Sequence, residues 1–289
     1  MARVLGVLGA IVALLIGAQA ARGQDAPLVA EVVGAVHTDG ASLAAWQESN
    51  GSVVVLADAV PADRTQTVEP AERCPLQAVS RRLVGLMCAD ARPALFDVLE
   101  REARQIDGLE RAREALATRT EVVLAGLGDR WLRLVAPDRE VLLDWTSGRV
   151  RTDLRAGPRK VLDLSTKSAR RRLCKPLRTP APGAAYRPPY LLTRVSNGDV
   201  TLRRCGSEEA TVLTRDDDAP FVLSARFAAW AQGATVRVRD HSSERTLRWR
   251  TPLGTPVTAL RATDRRVFVE VAPTVAGGPP TTYVLEPRA

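Results

Sequence analysis

Aromatic side chains are scarce in this 289-residue sequence, which has five Trp, three Tyr and four Phe, or 4% of the chain. Lysine is nearly missing too: Lys160, Lys167 and Lys175 stand against 38 arginines. Two histidines and four cysteines leave little material for histidine-based catalysis or a conventional zinc site. There is no Gly-x-Gly-x-x-Gly, no Walker loop and no His-Glu-x-x-His. Their absence removes the usual signatures of dinucleotide, nucleotide and zinc-protease chemistry, so no cofactor is expected. What is present, 45% hydrophobic and 26% charged residues, excludes a disordered tail, a collagen-like fibre and a multi-span membrane protein.

The first twenty residues read as an export signal. Arg3 supplies one positive charge, and Val4 to Ala18 then runs apolar or small without any charge. As a helix that run would reach about 22 Å, short of the ~30 Å hydrocarbon core of a bilayer. Ala18-Gln19-Ala20 offers the small-x-small pattern that a signal peptidase accepts. An uncleaved anchor is the competing reading. The expected organisation is therefore a leader over 1–20 and one domain over 21–289. No later stretch is long and apolar enough to span a bilayer.

All four cysteines, Cys74, Cys88, Cys174 and Cys205, follow the leader. Outside the cytosol an even count reads as disulfides, and no Cys-x-x-Cys is present to suggest a metal. Three pairings are possible. Cys74 with Cys88 and Cys174 with Cys205 is favoured, because each pair brackets one short segment.

Strand patterns recur along the chain. Residues 41–59 give ASLAAWQE, a turn at Ser49-Asn50-Gly51, then SVVVLADA. Residues 122–149 give VVLAGL, WLRLVA and EVLLDW; residues 190–214 give YLLTRV, DVTLRRC and ATVLT. Residues 221–250 give FVLSARFAAWA, TVRVRD and RTLRWR, and 257–286 give VTALRA, RVFVEVA and TTYVLE. Residues 78–100 fit more loosely. Alternation such as Val-Arg-Val-Arg at 236–239 has period two, the mark of half-buried antiparallel strands. Gly and Asn at the turns supply the positive φ that tight hairpins need.

The units recur roughly every 30 to 45 residues, with three or four short strands each, which predicts an all-β fold of the β-propeller type. Six blades fit the 269 residues after the leader, and seven remain possible. A pair of β-sandwich domains is the rival architecture. The segments TSGRVRT at 146–152 and FAAWAQGATVRVRD at 227–240 resemble blades of the TolB-like, WD40-like and quinoprotein-like propellers. No Trp-Asp ending of the WD40 type recurs, so the resemblance implies the architecture and leaves the subfamily open. Leu28–Val36 is an orphan strand, expected to pair with Thr282–Leu285 so that two edges are hidden.

Residues 101–118 break the pattern. Leu99, Ala103, Ile106, Leu109, Ala112 and Leu116 fall three or four apart, which predicts a short helix between the second and third units. Lys175–Pro189 holds five prolines and reads as a stiff connector rather than a strand.

Charge is uneven. Between Arg149 and Arg178 eleven basic residues face only Asp153 and Asp163, a local +9. The chain after the leader carries +7, so its remainder is slightly acidic. Arg159, Lys160, Arg170, Arg171, Arg172 and Lys175 are the candidate anion-binding residues of this segment. The bland alternative is a solvated arginine-rich surface. An anionic polymer or an envelope protein is the expected partner, and specific nucleic-acid binding is not, since base-stacking readers interleave aromatics with arginines.

Catalytic constellations are thin. Asp240-His241-Ser242-Ser243 places triad residue types side by side, whereas a triad needs them to converge from separate segments. A hairpin turn explains the same residues. His37 reads as a turn residue. Asp216-Asp217-Asp218 lacks the spacing of a calcium loop and reads as an acidic turn between units. The five tryptophans, at 46, 131, 145, 230 and 249, are expected to pack between sheets. The expected function is that of an exported, non-catalytic binding or scaffold module. A hydrolase or lyase with carboxylates at a central channel, with or without a divalent cation, is the alternative.

Overall fold

The computed structural model describes residues 26–59, 64–70, 74–116, 121–137, 139–152, 184–187, 189–273 and 275–287. Those residues form a mostly β protein of four-stranded antiparallel sheets with one α-helix. The arrangement is propeller-like: within each sheet, strands that follow one another in the chain lie side by side.

The first sheet contains β2 (Val36–Thr38), β3 (Leu43–Gln47), β4 (Val53–Ala57) and β5 (Gln66–Val68). The second contains β6 (Leu76–Val79), β7 (Leu83–Cys88), β8 (Arg92–Asp97) and β9 (Glu102–Arg104). The third contains β10 (Val123–Leu127), β11 (Trp131–Val135), β12 (Glu140–Asp144) and β13 (Arg149–Arg151). The fourth contains β14 (Ala184–Arg187), β15 (Tyr190–Arg194), β16 (Val200–Arg204) and β17 (Thr211–Thr214). The fifth contains β18 (Phe221–Leu223), β19 (Phe227–Gln232), β20 (Thr235–Asp240) and β21 (Thr246–Arg250).

The sixth sheet joins both ends of the described chain. Its order is β22 (Val257–Ala262), β23 (Val267–Val271), β24 (Thr281–Leu285) and then β1 (Leu28–Val33). β1 pairs with β24 from Leu28 against Leu285 to Val33 against Thr281, the partner that the sequence predicts. The predicted strand over 28–36 is divided, however. Gly34, at φ 127, breaks it, and Val36 begins the next sheet.

Sheets pack face to face, and this decides which strands are apolar on both sides. β4 and β19 lie in the middle of their sheets, and Val53–Leu56 and Phe227–Ala231 are buried without alternation. β20, by contrast, keeps the period of two, with Val236, Val238 and Asp240 buried. One core cluster joins the fifth and sixth sheets, with Phe227, Val236 and Trp249 against Leu260, Val269 and Tyr283. Trp249 and Tyr283 meet across that interface at a ring separation of 5.3 Å. Removing one such large apolar side chain from water stabilises the fold by about 2 kcal/mol.

Three expectations are corrected. The helix is shorter than its apolar stripe: α1 spans Leu109–Leu116, and only Ala112 and Leu116 of that stripe are fully buried. Upstream, Glu102–Arg104 pairs with β8 as an outer strand, and Leu99 is 72% exposed in a turn. Gly108, at φ 73, sits against the backbone of Gly148 and separates strand from helix. Second, the proline-rich connector ends in a strand, because Ala184–Arg187 lies between the prolines and pairs with β15. Third, the run FVLSARFAAWA is two strands. Ser224 turns the chain between them, its hydroxyl accepting from the amides of Arg226 and Phe227.

One disulfide is explicit. Cys74, just before β6, bonds Cys88 at the end of β7, with the α-carbons 4.5 Å apart. Cys205 is also disulfide-bonded, and none of the described cysteines is free. Cys174 lies outside the described residues.

Candidate functional site

Each sheet has one edge strand that packs against its counterpart in a neighbouring sheet: β14 on β18, β18 on β22, β22 on β2, β2 on β6, and β6 on β10. Three of these strands carry a bulge at the same place, which turns Gln77, Ala125 and Thr258 out of their ladders. A bulge leaves one residue unpaired and increases local twist, and pairing resumes beyond it. Gln77 uses its freedom to reach the next sheet, where its Oε1 accepts from the Leu124 amide at 2.6 Å. Ala125 and Thr258 are exposed.

The series of edge strands is curved. Arg187, at the end of β14, donates from Nη2 to the carbonyl of Asp39, beyond the end of β2, at 3.2 Å. Those two strands are separated in the series by β18 and β22, so the four bend around a common space. Gly40 adopts φ 72 at this contact, and a β-carbon there would overlap the guanidinium. Asp39 is fully engaged in its own turn. Its Oδ1 accepts from the amides of Ala41, Ser42 and Leu43, and its Oδ2 from the Ser42 hydroxyl.

Around this space lie the acids and bases of the neighbouring turns. Asp264 accepts from the Ala225 amide, and its own amide donates to the Ala41 carbonyl, tying the fifth, sixth and first sheets together. Arg261 pairs with Glu270 at 2.8 Å. His37, on β2, is half-buried; burial, then the charge of Arg261, holds its imidazole below the ordinary histidine range.

The buried carboxylates serve a second, repeated device. Asp97, Asp144 and Asp240 end the third strands of the second, third and fifth sheets. Each accepts from the amides two and three residues on: Leu99 and Glu100, Thr146 and Ser147, Ser242 and Ser243. Each also meets an arginine from the turn before the second strand. Arg82 and Arg104 bond Asp97, Arg130 lies 2.6 Å from Asp144, and Arg226 lies 3.9 Å from Asp240.

Burial alone would raise these carboxyls. For Asp144 the Thr146 and Ser147 bonds and Arg130 outweigh it and hold the group at about 2. The bonds from Ser242 and Ser243 do the same for Asp240, also at about 2. Arg104 and Arg82 bring Asp97 below its usual value against the same penalty. Asp58 is the exception, because burial outweighs its bonds to Thr263, Arg266 and Arg265 and raises its carboxyl.

The side chains singled out in the sequence fall as follows. Asp240, His241 and Ser242 form a turn, not a triad: both serines bond Asp240, while the His241 ring stacks on Tyr190 at 3.8 Å. Asp216–Asp218 lies in the link from β17 to β18, where the Asp216 and Asp217 carbonyls accept from Arg194. Among the described residues no group of His, Cys, Asp or Glu is arranged to hold a metal ion. No described helix is long and apolar enough to cross a membrane. Arg159, Lys160, Arg170, Arg171, Arg172 and Lys175 lie outside the described residues, as does the leader.

Sequence reading missed Arg187, which sat in a stretch dismissed for its prolines. It also missed the arginine–aspartate caps. Their signal is an arginine before an apolar strand with an aspartate 14 or 15 residues later, as in Arg82 and Asp97 or Arg130 and Asp144.

No protein-family model matches the chain, and no curated protein matches it. Solved structures do show similarity. One is PorZ, an essential bacterial surface component of the type-IX secretion system of Porphyromonas gingivalis, at 13% identity and a TM-score of 0.36. That match covers 89% of this chain and 32% of PorZ, so the chain spans only about a third of that protein's length. BamB from Moraxella catarrhalis matches at 15% identity and a TM-score of 0.29, over 86% of this chain and 70% of BamB. The computationally designed Ika8 protein matches at 13% identity and a TM-score of 0.40, over 91% of this chain and 100% of Ika8.

Proposed function

We propose that the chain is an exported six-bladed β-propeller that works as a non-catalytic binding or scaffold module in the cell envelope or extracellular space. The observation that carries the non-catalytic reading is the bonding of Asp97, Asp144 and Asp240. Each accepts from amides of its own turn and faces an arginine, which lies 3.9 Å away for Asp240, so each serves as a structural cap. A general acid needs a proton to give near neutral pH; Asp144 and Asp240, held at about 2, have none, and Asp97 is held below its usual value as well. Export is supported by the leader-like residues 1–20 and by the Cys74–Cys88 bond, which persists in oxidising compartments. In this reading the ring is closed by β1 on β24, and the basic segment 149–178 contacts an anionic polymer.

The test combines fractionation of cells expressing the full chain with chromatography of the exported protein on a polyanion column. The reading expects a processed form outside the cytosol and salt-sensitive retention, lost when Arg170, Arg171 and Arg172 become alanine. A cytosolic, unprocessed protein, or retention indifferent to those three changes, contradicts it.

A further inference from the structure

The fifth sheet carries positive charge that its own face does not balance. Antiparallel register sets Phe221 opposite Trp230, Trp230 opposite Arg237, and Arg237 opposite Arg248, so the four stand in one row on one face. That face turns towards the fourth sheet. Arg194 of β15 lies 5.4 Å from the Phe221 ring, and Gln232 donates to the Thr214 hydroxyl. Like charges directly opposite each other destabilise a strand pair. Other sheets avoid this: Arg133 meets Glu140 across β11 and β12, and Arg261 meets Glu270 across β22 and β23.

No acid neighbours Arg237 on this face. Along β20 it is flanked by Thr235 and Arg239, and its diagonal neighbours on β19 and β21 are Ala228, Gln232, Thr246 and Arg250. Arg239 is taken up by Glu244 at 3.4 Å. Among the described residues neither Arg237 nor Arg248 has a hydrogen-bond or ion-pair partner, the acids before and after β17 included. Arg237 is half-buried, and of its guanidinium only Nε is sealed without an acceptor. The buried indole N–H of Trp230 beside it lacks an acceptor too. Arg248, on the outer strand, is exposed. The row therefore offers N–H donors and two permanent positive charges, with nothing of opposite sign beside them.

We propose that Arg237 and Arg248 together form a surface site for one phosphoryl group, a tetrahedral dianion bridged by both guanidiniums. A carboxylate brings a single charge and leaves one of the two arginines unbalanced, whereas a phosphoryl group brings up to two charges and three acceptor oxygens. Guanidinium and phosphate form charge-assisted bonds that are often bidentate. The bound group also relieves the repulsion within the row, so binding stabilises the fifth sheet. The site uses none of segment 149–178 and goes beyond the proposed function. Exposed ion pairs are individually weak, so this site alone does not retain the chain on a polyanion column.

Thermal melts of the exported chain test it, at constant ionic strength and about pH 8, where a phosphoryl group is doubly charged. Inorganic phosphate or glycerol 3-phosphate replaces chloride. In chloride, Arg248→Glu melts above the wild type, because the new carboxylate pairs with Arg237. Phosphate raises the wild-type midpoint saturably, and Arg248→Gln needs about fivefold more phosphate for the same rise. Arg248→Glu keeps only the general stabilisation that phosphate gives any protein surface. Arg237→Gln behaves as Arg248→Gln does and provides a second reading should one variant fail to fold. Two controls respond as the wild type: Arg81→Gln, which removes an exposed arginine from the second sheet, and the alanine variant of Arg170, Arg171 and Arg172. A response to phosphate alone supports the site with the free ion as its ligand. A response to the ester as well supports it with a phosphoryl group carried on a larger molecule. Equal responses in the wild type and both Arg248 variants overturn the site. So does a response lost in either control, or Arg248→Glu melting no higher than the wild type in chloride.

Discussion

Asp58 and Arg266 form a link between sheets at the scale of single residues. Arg266 is only 1% exposed, and its Nη1 lies 3.3 Å from Asp58 Oδ1 and 3.1 Å from the Ala57 carbonyl. Thr263 donates to the same carboxylate at 2.6 Å, so the first and sixth sheets are joined by a buried, hydrogen-bonded ion pair. Breaking a buried, hydrogen-bonded ion pair by removing one member typically costs about 3 kcal/mol or more. Asp58→Ala is expected to lower stability by that order in urea denaturation; a loss below about 1 kcal/mol would contradict the role given to the pair. The three capping aspartates predict a pH dependence. Their folded values lie below the unfolded carboxyl range, so the stability they contribute is complete above about pH 4 and is lost as the pH falls towards about 2, where Asp144 and Asp240 protonate. Asp58, raised by burial, acts in the opposite sense and offsets part of that loss. Thermal melts between these limits should show a falling midpoint with acid, less steep in Asp144→Asn, which has no charge to lose. An unchanged slope in that variant would remove Asp144 as a contributor.

At the scale of elements, a covalent bond fastens the second sheet. Cys74 and Cys88 lie 14 residues apart and tie the entry of β6 to the end of β7. Closing a loop of that size contributes about 3 kcal/mol by the chain-entropy account. Replacing both cysteines with serine should therefore lower the denaturation midpoint clearly, and a midpoint within error of the parent would show the bond to be incidental. Strands were readable wherever a turn signal separated two short apolar or alternating runs. Asn50-Gly51 and Asn197-Gly198, with the glycines at φ 95 and 89, bracket β3, β4, β15 and β16 as expected. The failures share a cause. Short outer or edge strands such as Glu102–Arg104 and Ala184–Arg187 pair on one side within their sheets, and three or four residues are too few to show an apolar pattern. The helix was legible as an element but not at its start, which is set by contact between Gly108 and Gly148, 40 positions apart. The caps were hidden for a similar reason, since an arginine and an aspartate 14 residues apart become neighbours only once a hairpin forms.

At the scale of the whole molecule, the account depends on the sheets being set around one axis. Composition excluded many classes, and the spacing of the units favoured blades over sandwiches, but neither could place Arg187 beside Asp39. Paired spin labels on the outer strands measure the arrangement directly. Thr67, Ala103, Arg149, Val212, Arg248 and Glu31 are exposed and mark the outer strands of the first, second, third, fourth, fifth and sixth sheets, respectively. A six-bladed ring predicts three similar long distances, Thr67 to Val212, Ala103 to Arg248 and Arg149 to Glu31. It also predicts shorter distances between neighbours, including Arg149 to Val212 across the junction of the third and fourth sheets. Opposite pairs no longer than neighbouring ones, or an Arg149 to Val212 distance as long as a diameter, would contradict the ring.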